Sequence, residues 1–141
     1  MLSNKAKYAF HALFALAEEG APLMIAEIAQ RKRLPRKFLE QILVDLKHHG
    51  LVASRRGKLG GYHLLKRPDE ISLGEIVRII DGPLAPLPCL SKRAHQPCEE
   101  CISEETCALR RVFARAHAVS SKVLEQTTLA DALSDTDAIT A

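Results

Sequence analysis

The chain has 141 residues, of which 47% are hydrophobic and 26% charged, and its formal net charge is +3. This length suits a single domain with a real core, and the balance of residue types is ordinary for a soluble globular protein. There is no apolar run of about 18 residues and no export signal in the first residues, so we expect a cytoplasmic protein with no membrane partner.

Positive charge is concentrated in the middle of the chain. The segment from Arg31 to Arg67 holds eleven lysines and arginines against two acidic residues, a balance of +9, which leaves −6 for the rest of the chain. A strongly basic segment in an otherwise acidic protein is the electrostatic pattern of a nucleic-acid-binding surface. A nucleic acid is therefore the first partner to consider.

Three helices are predicted in the first 50 residues. Alanine, leucine and phenylalanine fill residues 3–19 and predict a largely buried helix that ends at Gly20. A short second helix follows over residues 23–32, and Pro35 suits the first position of a third helix over residues 35–49.

The third helix has an apolar stripe and a polar face at helical periodicity. The stripe consists of Phe38, Leu39, Ile42, Leu43 and Leu46, and the outward face carries Arg36, Lys37, Glu40, Gln41 and Lys47. A short helix, a tight link and an amphipathic helix with a basic outer face are typical of a helix-turn-helix.

A basic hairpin is predicted directly after the third helix. Residues 51–55 and 62–65 are short β-prone runs around a glycine-rich turn, and Arg55, Arg56 and Lys58 place positive charge at its tip. Such a wing can lay an arginine along or inside a DNA minor groove. The alternative is a hairpin whose charges are merely solvated.

Two further helices are predicted. Ser72 and Glu75 form the start signal of a helix over residues 71–81, with Ile71 and Ile76 as its hydrophobic staple, and Gly82-Pro83 ends it. A long amphipathic helix over residues 108–128 repeats apolar residues at steps of three and four. We expect its stripe to pack against the same helix of a second chain, the alternative being its own domain. Residues 129–141 read as a flexible tail.

All four cysteines lie in an irregular, proline-bearing stretch before the last helix. They are Cys89, Cys98, Cys101 and Cys107, spaced C-x8-C-x2-C-x5-C. Where thiols stay reduced, such a cluster favours a metal or iron–sulfur site over disulfides. Thiol–disulfide chemistry between Cys98 and Cys101 remains open, as does zinc, although a single C-x2-C is unlike the paired spacing of zinc sites. No nucleophile motif, phosphate loop or βαβ unit is present, so we do not expect an enzyme.

Several runs together resemble the iron–sulfur cluster regulator (IscR-like) family of bacterial winged helix-turn-helix transcriptional regulators. They are FLEQIL at residues 38–43, GLVASRRGKLGGYHL at 50–64, ISLGEIVRIIDG at 71–82, and the cysteines just before the last helix. The resemblance implies a mainly α fold with a small β-hairpin wing and a long C-terminal dimerisation helix. It also implies a homodimer that binds double-stranded operator DNA.

The resemblance divides the chain into four parts: a DNA-binding domain at residues 1–82, a cysteine-bearing sensor loop at 83–107, the dimerisation helix at 108–128 and the tail at 129–141. It implies base reading by Glu40 and minor-groove entry by Arg56. The full set of DNA contacts that it implies is Lys7, Tyr8, Arg36, Lys37, Glu40, Gln41, Arg55, Arg56 and Lys58.

The resemblance further implies that the cysteines hold a cluster that senses iron supply, cluster status, nitric oxide or oxidants. Cys101 and Cys107 have the spacing of the family's last two ligands, and Cys89 fits the first. Arg110 and Tyr8 stand where some members have a histidine or an aspartate ligand, so Cys98 is the natural fourth ligand, with His95 as a competitor. All-cysteine ligation suits either a [2Fe-2S] or a [4Fe-4S] cluster.

Overall fold

A computed structural model describes residues 2–83 and 85–134 of the chain. Its elements in order are α1 (Asn4–Glu19), α2 (Ile25–Lys32), α3 (Arg36–His48), β1 (Val52–Arg55), β2 (Gly61–Leu64), α4 (Leu73–Asp81), α5 (Ala108–Gln126) and α6 (Leu129–Ser134). Short 3-10 turns lie at Pro68–Glu70 and Pro88–Leu90. The predicted fold class, mainly helical with one antiparallel hairpin, is confirmed.

Side-chain caps set where the first and fourth helices begin. The Ser3 hydroxyl accepts from the Ala6 N–H at 3.0 Å, and the Ser72 hydroxyl accepts from the Glu75 N–H at 3.1 Å. The Glu75 carboxylate, however, accepts from the Lys66 amine at 3.0 Å, so only half of the predicted capping box forms. Pro35 occupies the capping position before α3 and not the first helical position that we predicted.

The core lies between the first four helices and the hairpin. Its largest fully buried side chains are Leu13, Leu23, Ile28, Leu39, Ile42, Leu43, Leu46, Leu51, Ile71, Ile76, Leu129 and Val52. Both members of the predicted staple before α4 are among them. Apolar burial of this extent provides the main favourable term for folding.

The hairpin is fixed to the segment that precedes α2. Leu23 and Tyr62 exchange two backbone hydrogen bonds, at 2.9 and 2.8 Å, so Leu23 extends the sheet and does not begin the second helix as predicted. Gly61 makes this approach possible. Its φ is +127°, and a Cβ there would lie 2.4 Å from the Leu23 carbonyl oxygen.

Phe38 departs from the predicted apolar stripe of α3. Leu39, Ile42, Leu43 and Leu46 are buried, but the Phe38 side chain is 61% exposed. At about 100° per residue, Phe38 lies at the border between the buried stripe and the polar face. Its ring is 6.3 Å from the ring of Tyr8, between α1 and α3.

The long helix α5 has no buried residue in the single chain. Its exposed apolar side chains are Leu109, Val112, Phe113, Val119 and Val123. One side of its last turn packs on α4, where Arg78 forms an ion pair with Glu125. In the described residues, no helix has both the length and the apolarity of a membrane span.

The prediction of a flexible tail is wrong for its first six residues. They form α6, and Leu129 is fully buried. The Leu129 N–H donates to the Ile71 carbonyl at 2.9 Å, and the Leu73 N–H donates to the Thr127 carbonyl at 2.8 Å. These long-range bonds hold the chain end against the start of α4. Residues 135–141 lie outside the described residues.

Replacing Leu129 tests whether α6 belongs to the core. Leu129→Ala should lower the free energy of unfolding by about 2–5 kcal/mol, because it leaves a cavity at a fully buried site. Leu133→Ala in the same helix is the matched control, since Leu133 is 37% exposed and its loss should cost less than about 1 kcal/mol. Urea unfolding followed by circular dichroism measures both values. Equal losses would contradict this packing of α6.

Candidate nucleic-acid interface and cysteine pocket

The first turns of α3 present an exposed polar surface. Arg36, Lys37, Glu40 and Gln41 are all exposed there. The Arg36 Nε lies 3.8 Å from a Glu40 carboxylate oxygen, with the two side chains 66% and 56% exposed. An ion pair this open contributes about 0–1 kcal/mol, so both groups are available to another partner.

The start of α1 is fastened to α3 at the edge of this surface. The Lys5 amine donates to the Asp45 carboxylate at 2.7 Å, and the Gln41 amide donates to the same carboxylate at 3.0 Å. The Lys5 hydrogen bond is the main cause that lowers the pKa of Asp45. Lys7 is exposed beside this junction and Tyr8 is half-buried. The contact of Asp45 with Lys5 was not predicted, because its only local signal in the sequence is the position of Asp45 one turn after Gln41.

The hairpin presents three basic side chains at its turn. Arg55, Arg56 and Lys58 are exposed and have no ion-pair partner among residues 2–83 and 85–134. The turn is so tight that a Cβ on Gly60 would lie 2.2 Å from the Arg55 carbonyl oxygen. The Lys47 amine donates to the Ser54 hydroxyl at 2.8 Å and so joins α3 to the wing. The exposed basic side chains of α3 and of the wing therefore lie on elements that contact each other.

The structure brings all four cysteines to one pocket. Cys89 is buried in the 3-10 turn Pro88–Leu90, and Cys107 caps α5, its sulfur accepting from the Arg110 N–H at 3.4 Å. A turn closed by the Cys101 N–H and the Cys98 carbonyl, at 3.0 Å, carries the other two. The pocket has a volume of about 170 Å³ and is lined by Leu87, Cys89, Cys98, Glu100, Cys101, Glu104, Cys107, Leu109 and Arg110.

The donor set of this pocket suits a soft metal centre. Burial is the largest cause that raises the pKa of the Cys98 thiol, and the neighbouring Cys89 and Cys101 thiols add to it. The positive charge of a bound metal offsets that effect, because thiols bind metals as thiolates. Among the described residues, no three His, Cys, Asp or Glu side chains are close enough to share a single ion. Ligands of a multi-iron cluster attach to different iron atoms, and four converging thiols fit that requirement.

Arg110 lines the pocket, whereas His95 does not. The Arg110 guanidinium lies 3.5 Å from the Cys89 carbonyl oxygen and 4.0 Å from the Glu104 carboxylate. The His95 ring is held instead by Glu104, at 3.0 Å. Arg110 therefore connects the first turn of α5 to the turn that carries Cys89. This contact was not predicted, because in the sequence Arg110 is notable only for standing where some family members have a histidine ligand.

Comparison with known proteins gives consistent matches across nearly the whole chain. A family model named Rrf2, described as an iron-dependent transcriptional regulator, matches residues 2–135. A protein of Rhodobacter capsulatus whose name places it among rrf2-like HTH-type transcriptional regulators is 49% identical over 138 residues, which cover 94% of this chain and 92% of that protein.

Two solved structures resemble the fold closely. CymR, the global cysteine regulator of B. subtilis, superimposes with a TM-score of 0.80 at 33% identity, covering 97% of this chain and 98% of that chain. IscR of T. potens superimposes with a TM-score of 0.75 at 29% identity, covering 100% of this chain and 91% of that chain.

Proposed function

The chain belongs to the Rrf2 family of helix-turn-helix transcriptional regulators, and we propose that it is a homodimer whose operator binding is controlled by an iron–sulfur cluster in the cysteine pocket. The observation that carries the cluster proposal is the convergence of all four thiols on one pocket. The resemblance to IscR and the iron-dependent description of the family model support it.

The DNA-binding role assigns different tasks to different parts of the basic surface. The start of α3 would enter the major groove, where Glu40 accepts from a cytosine amino group and Gln41 pairs with an adenine. Arg56 at the wing would enter the adjacent minor groove. The remaining contacts, to phosphates, fall to Lys7, Tyr8, Arg36, Lys37, Arg55 and Lys58.

Cys89, Cys98, Cys101 and Cys107 would hold the cluster. When bound, it supplies a centre that iron supply, oxidants or nitric oxide can change. The chain would transmit the state of these thiols because Cys107 caps the start of α5 and Arg110 lies in its first turn. The last turn of the same helix is tied to α4 through Glu125 and Arg78. A change in the sensor loop would therefore reach the DNA-binding domain through α5.

The exposed stripe of α5 supports a two-fold dimer. Five apolar side chains that are at least 40% exposed lie along it. Two such helices packed against each other would bury both stripes, at roughly 25 cal/mol per Å² of apolar area. The dimer would also set the distance between the two recognition helices.

A thiol-redox regulator without a cluster is the second candidate. The Cys98 thiol is close enough to Cys89 and Cys101 for both to affect its pKa. CymR, which the chain resembles, is named a cysteine regulator. A structural zinc site held by the four cysteines is a further alternative, but it requires the thiols to move closer to one ion than they lie in the described residues. The same metal analysis tests it.

Metal analysis tests the cluster directly. Protein purified without oxygen should be coloured and contain iron and acid-labile sulfide, and Cys101→Ser should lose both because a thiolate ligand is gone. His95→Ala is the matched control and should keep both, since its ring lies outside the pocket lining. A colourless chain with one zinc would contradict the cluster. A colourless, metal-free chain with a reversible disulfide would favour the thiol-redox alternative.

Removing the wing arginine tests the mode of DNA binding. Arg56→Ala should weaken operator binding and reduce the slope of log affinity against log salt by about 1 for each wing. Fluorescence anisotropy across a salt series measures both quantities. Arg93→Ala, which removes an exposed arginine from the sensor loop, should leave them unchanged. An unchanged slope in the wing variant would rule out the contact.

A charge on the stripe of α5 tests the dimer. Val119→Glu should weaken dimerisation at least about tenfold, because it buries an unpaired carboxylate in an apolar interface. Ala118→Glu adds the same charge about 100° away around the helix and should leave the dimer intact. Sedimentation equilibrium distinguishes the two. A dimer of unchanged affinity in Val119→Glu would place the interface elsewhere.

A further inference from the structure

The aromatic ring of Phe38 is largely exposed to solvent, which is unusual for an apolar side chain next to the core. Tyr8 contacts the ring on one side, at a centroid distance of 6.3 Å and an interplanar angle of 48°. Even so, 61% of the side chain remains exposed. The sequence pattern places Phe38 in the core stripe, so its exposure results from the way α3 is rotated against α1.

Phe38 lies where a recognition helix meets base edges. It is the third residue of α3, and the N-terminal residues of this helix are the ones that approach bases in a helix-turn-helix. Lys37 precedes it and Gln41 follows one turn later, both exposed. Burial of the ring by DNA would therefore occur at a base edge in the major groove.

Only one base offers an apolar group in that groove. The four bases present hydrogen-bond donors and acceptors there, and thymine adds its 5-methyl group. An aromatic ring cannot satisfy a donor or an acceptor, and burying one against it costs free energy. A phosphate would likewise lose its hydration with no compensating charge. The thymine methyl is the one major-groove feature that gains from contact with Phe38.

We propose that Phe38 is a specificity-determining residue that selects thymine in each operator half-site through contact with the 5-methyl group. This rests on the proposed operator binding by α3 and adds a base preference to it. Tyr8 positions the ring, because its packing limits the rotation of the Phe38 side chain before DNA arrives. Gln41 reads hydrogen-bonding groups nearby, whereas Phe38 reads the one group that forms no hydrogen bond.

Replacement of thymine by deoxyuridine removes only the methyl group, so it isolates the contact. Duplexes selected from a random pool by the full-length protein would provide the operator, and each thymine would then be replaced in turn. At one symmetric position the substitution should weaken binding about fourfold per half-site, the effect of losing one buried methyl group. Phe38→Ala should abolish the penalty at that position and keep the penalties elsewhere.

Phe38→Leu is the matched variant, because it keeps an apolar side chain and should keep most of the thymine preference. It also covers the case in which Phe38→Ala does not fold, which circular dichroism would show. Identical deoxyuridine penalties in the wild-type protein and Phe38→Ala would overturn the assignment, as would the absence of any penalty in the wild type. A protein that selects no DNA at all would overturn both this inference and the proposed operator binding.

Discussion

The structure depends on the junction where the last turn of α5 meets α4. Arg78 and Glu125 form an ion pair there, and the end of the Glu125 side chain lies against Gly74 of α4. A Cβ on Gly74 would lie 2.7 Å from the Glu125 carboxyl carbon. Backbone hydrogen bonds from Leu73 to Thr127 and from Leu129 to Ile71 close the same junction. One end of α5 is therefore fixed to the DNA-binding domain, while the other carries a cysteine.

Helix α5 therefore connects the cysteine pocket to α4. Its 19 residues span about 28 Å at 1.5 Å per residue, with Cys107 at one end and the α4 junction at the other. α4 in turn reaches the start of α1, where Ser3 hydrogen bonds to Asp81, a few residues before Lys7 and Tyr8. α3 is joined to α1 by Lys5–Asp45 and to the wing by Lys47–Ser54, and Leu23–Tyr62 joins the wing to the segment before α2. Under the proposed mechanism, the sensor loop would therefore act on the spacing and tilt of whole DNA-binding domains within a dimer.

The sequence predicted the elements whose signals are local. Ser3 and Ser72 mark helix starts, Gly20 and Gly82 mark ends, and the glycines between Arg56 and Tyr62 mark the hairpin. Helical periodicity also identified four of the five side chains assigned to the stripe of α3. The first cysteine is far from the last in sequence, yet the structure places all four on one pocket. That they bind one group together stays a prediction.

The features that the sequence did not predict have a common physical cause: each depends on contacts between residues that are distant in sequence. Phe38 lies at the edge of the stripe, where only the rotation of α3 against α1 decides between burial and exposure. The run Leu129–Ser134 is too short to show periodicity, and its stability comes from pairing with the start of α4. In the sequence, Asp45 is only one acidic residue in a basic segment. Its ion pair with Lys5 is apparent only in the structure. For the same reason the sequence does not indicate that Arg110 contacts the turn that carries Cys89.

In the proposed mechanism, the state of the cysteine pocket sets the affinity for operator DNA. The most direct test compares cluster-loaded protein with the same preparation after anaerobic removal of iron, by anisotropy on one operator at one salt concentration. We expect dissociation constants that differ at least about tenfold, with the quadruple cysteine-to-serine variant matching the iron-free protein. Equal dissociation constants for the loaded and iron-free forms would contradict it.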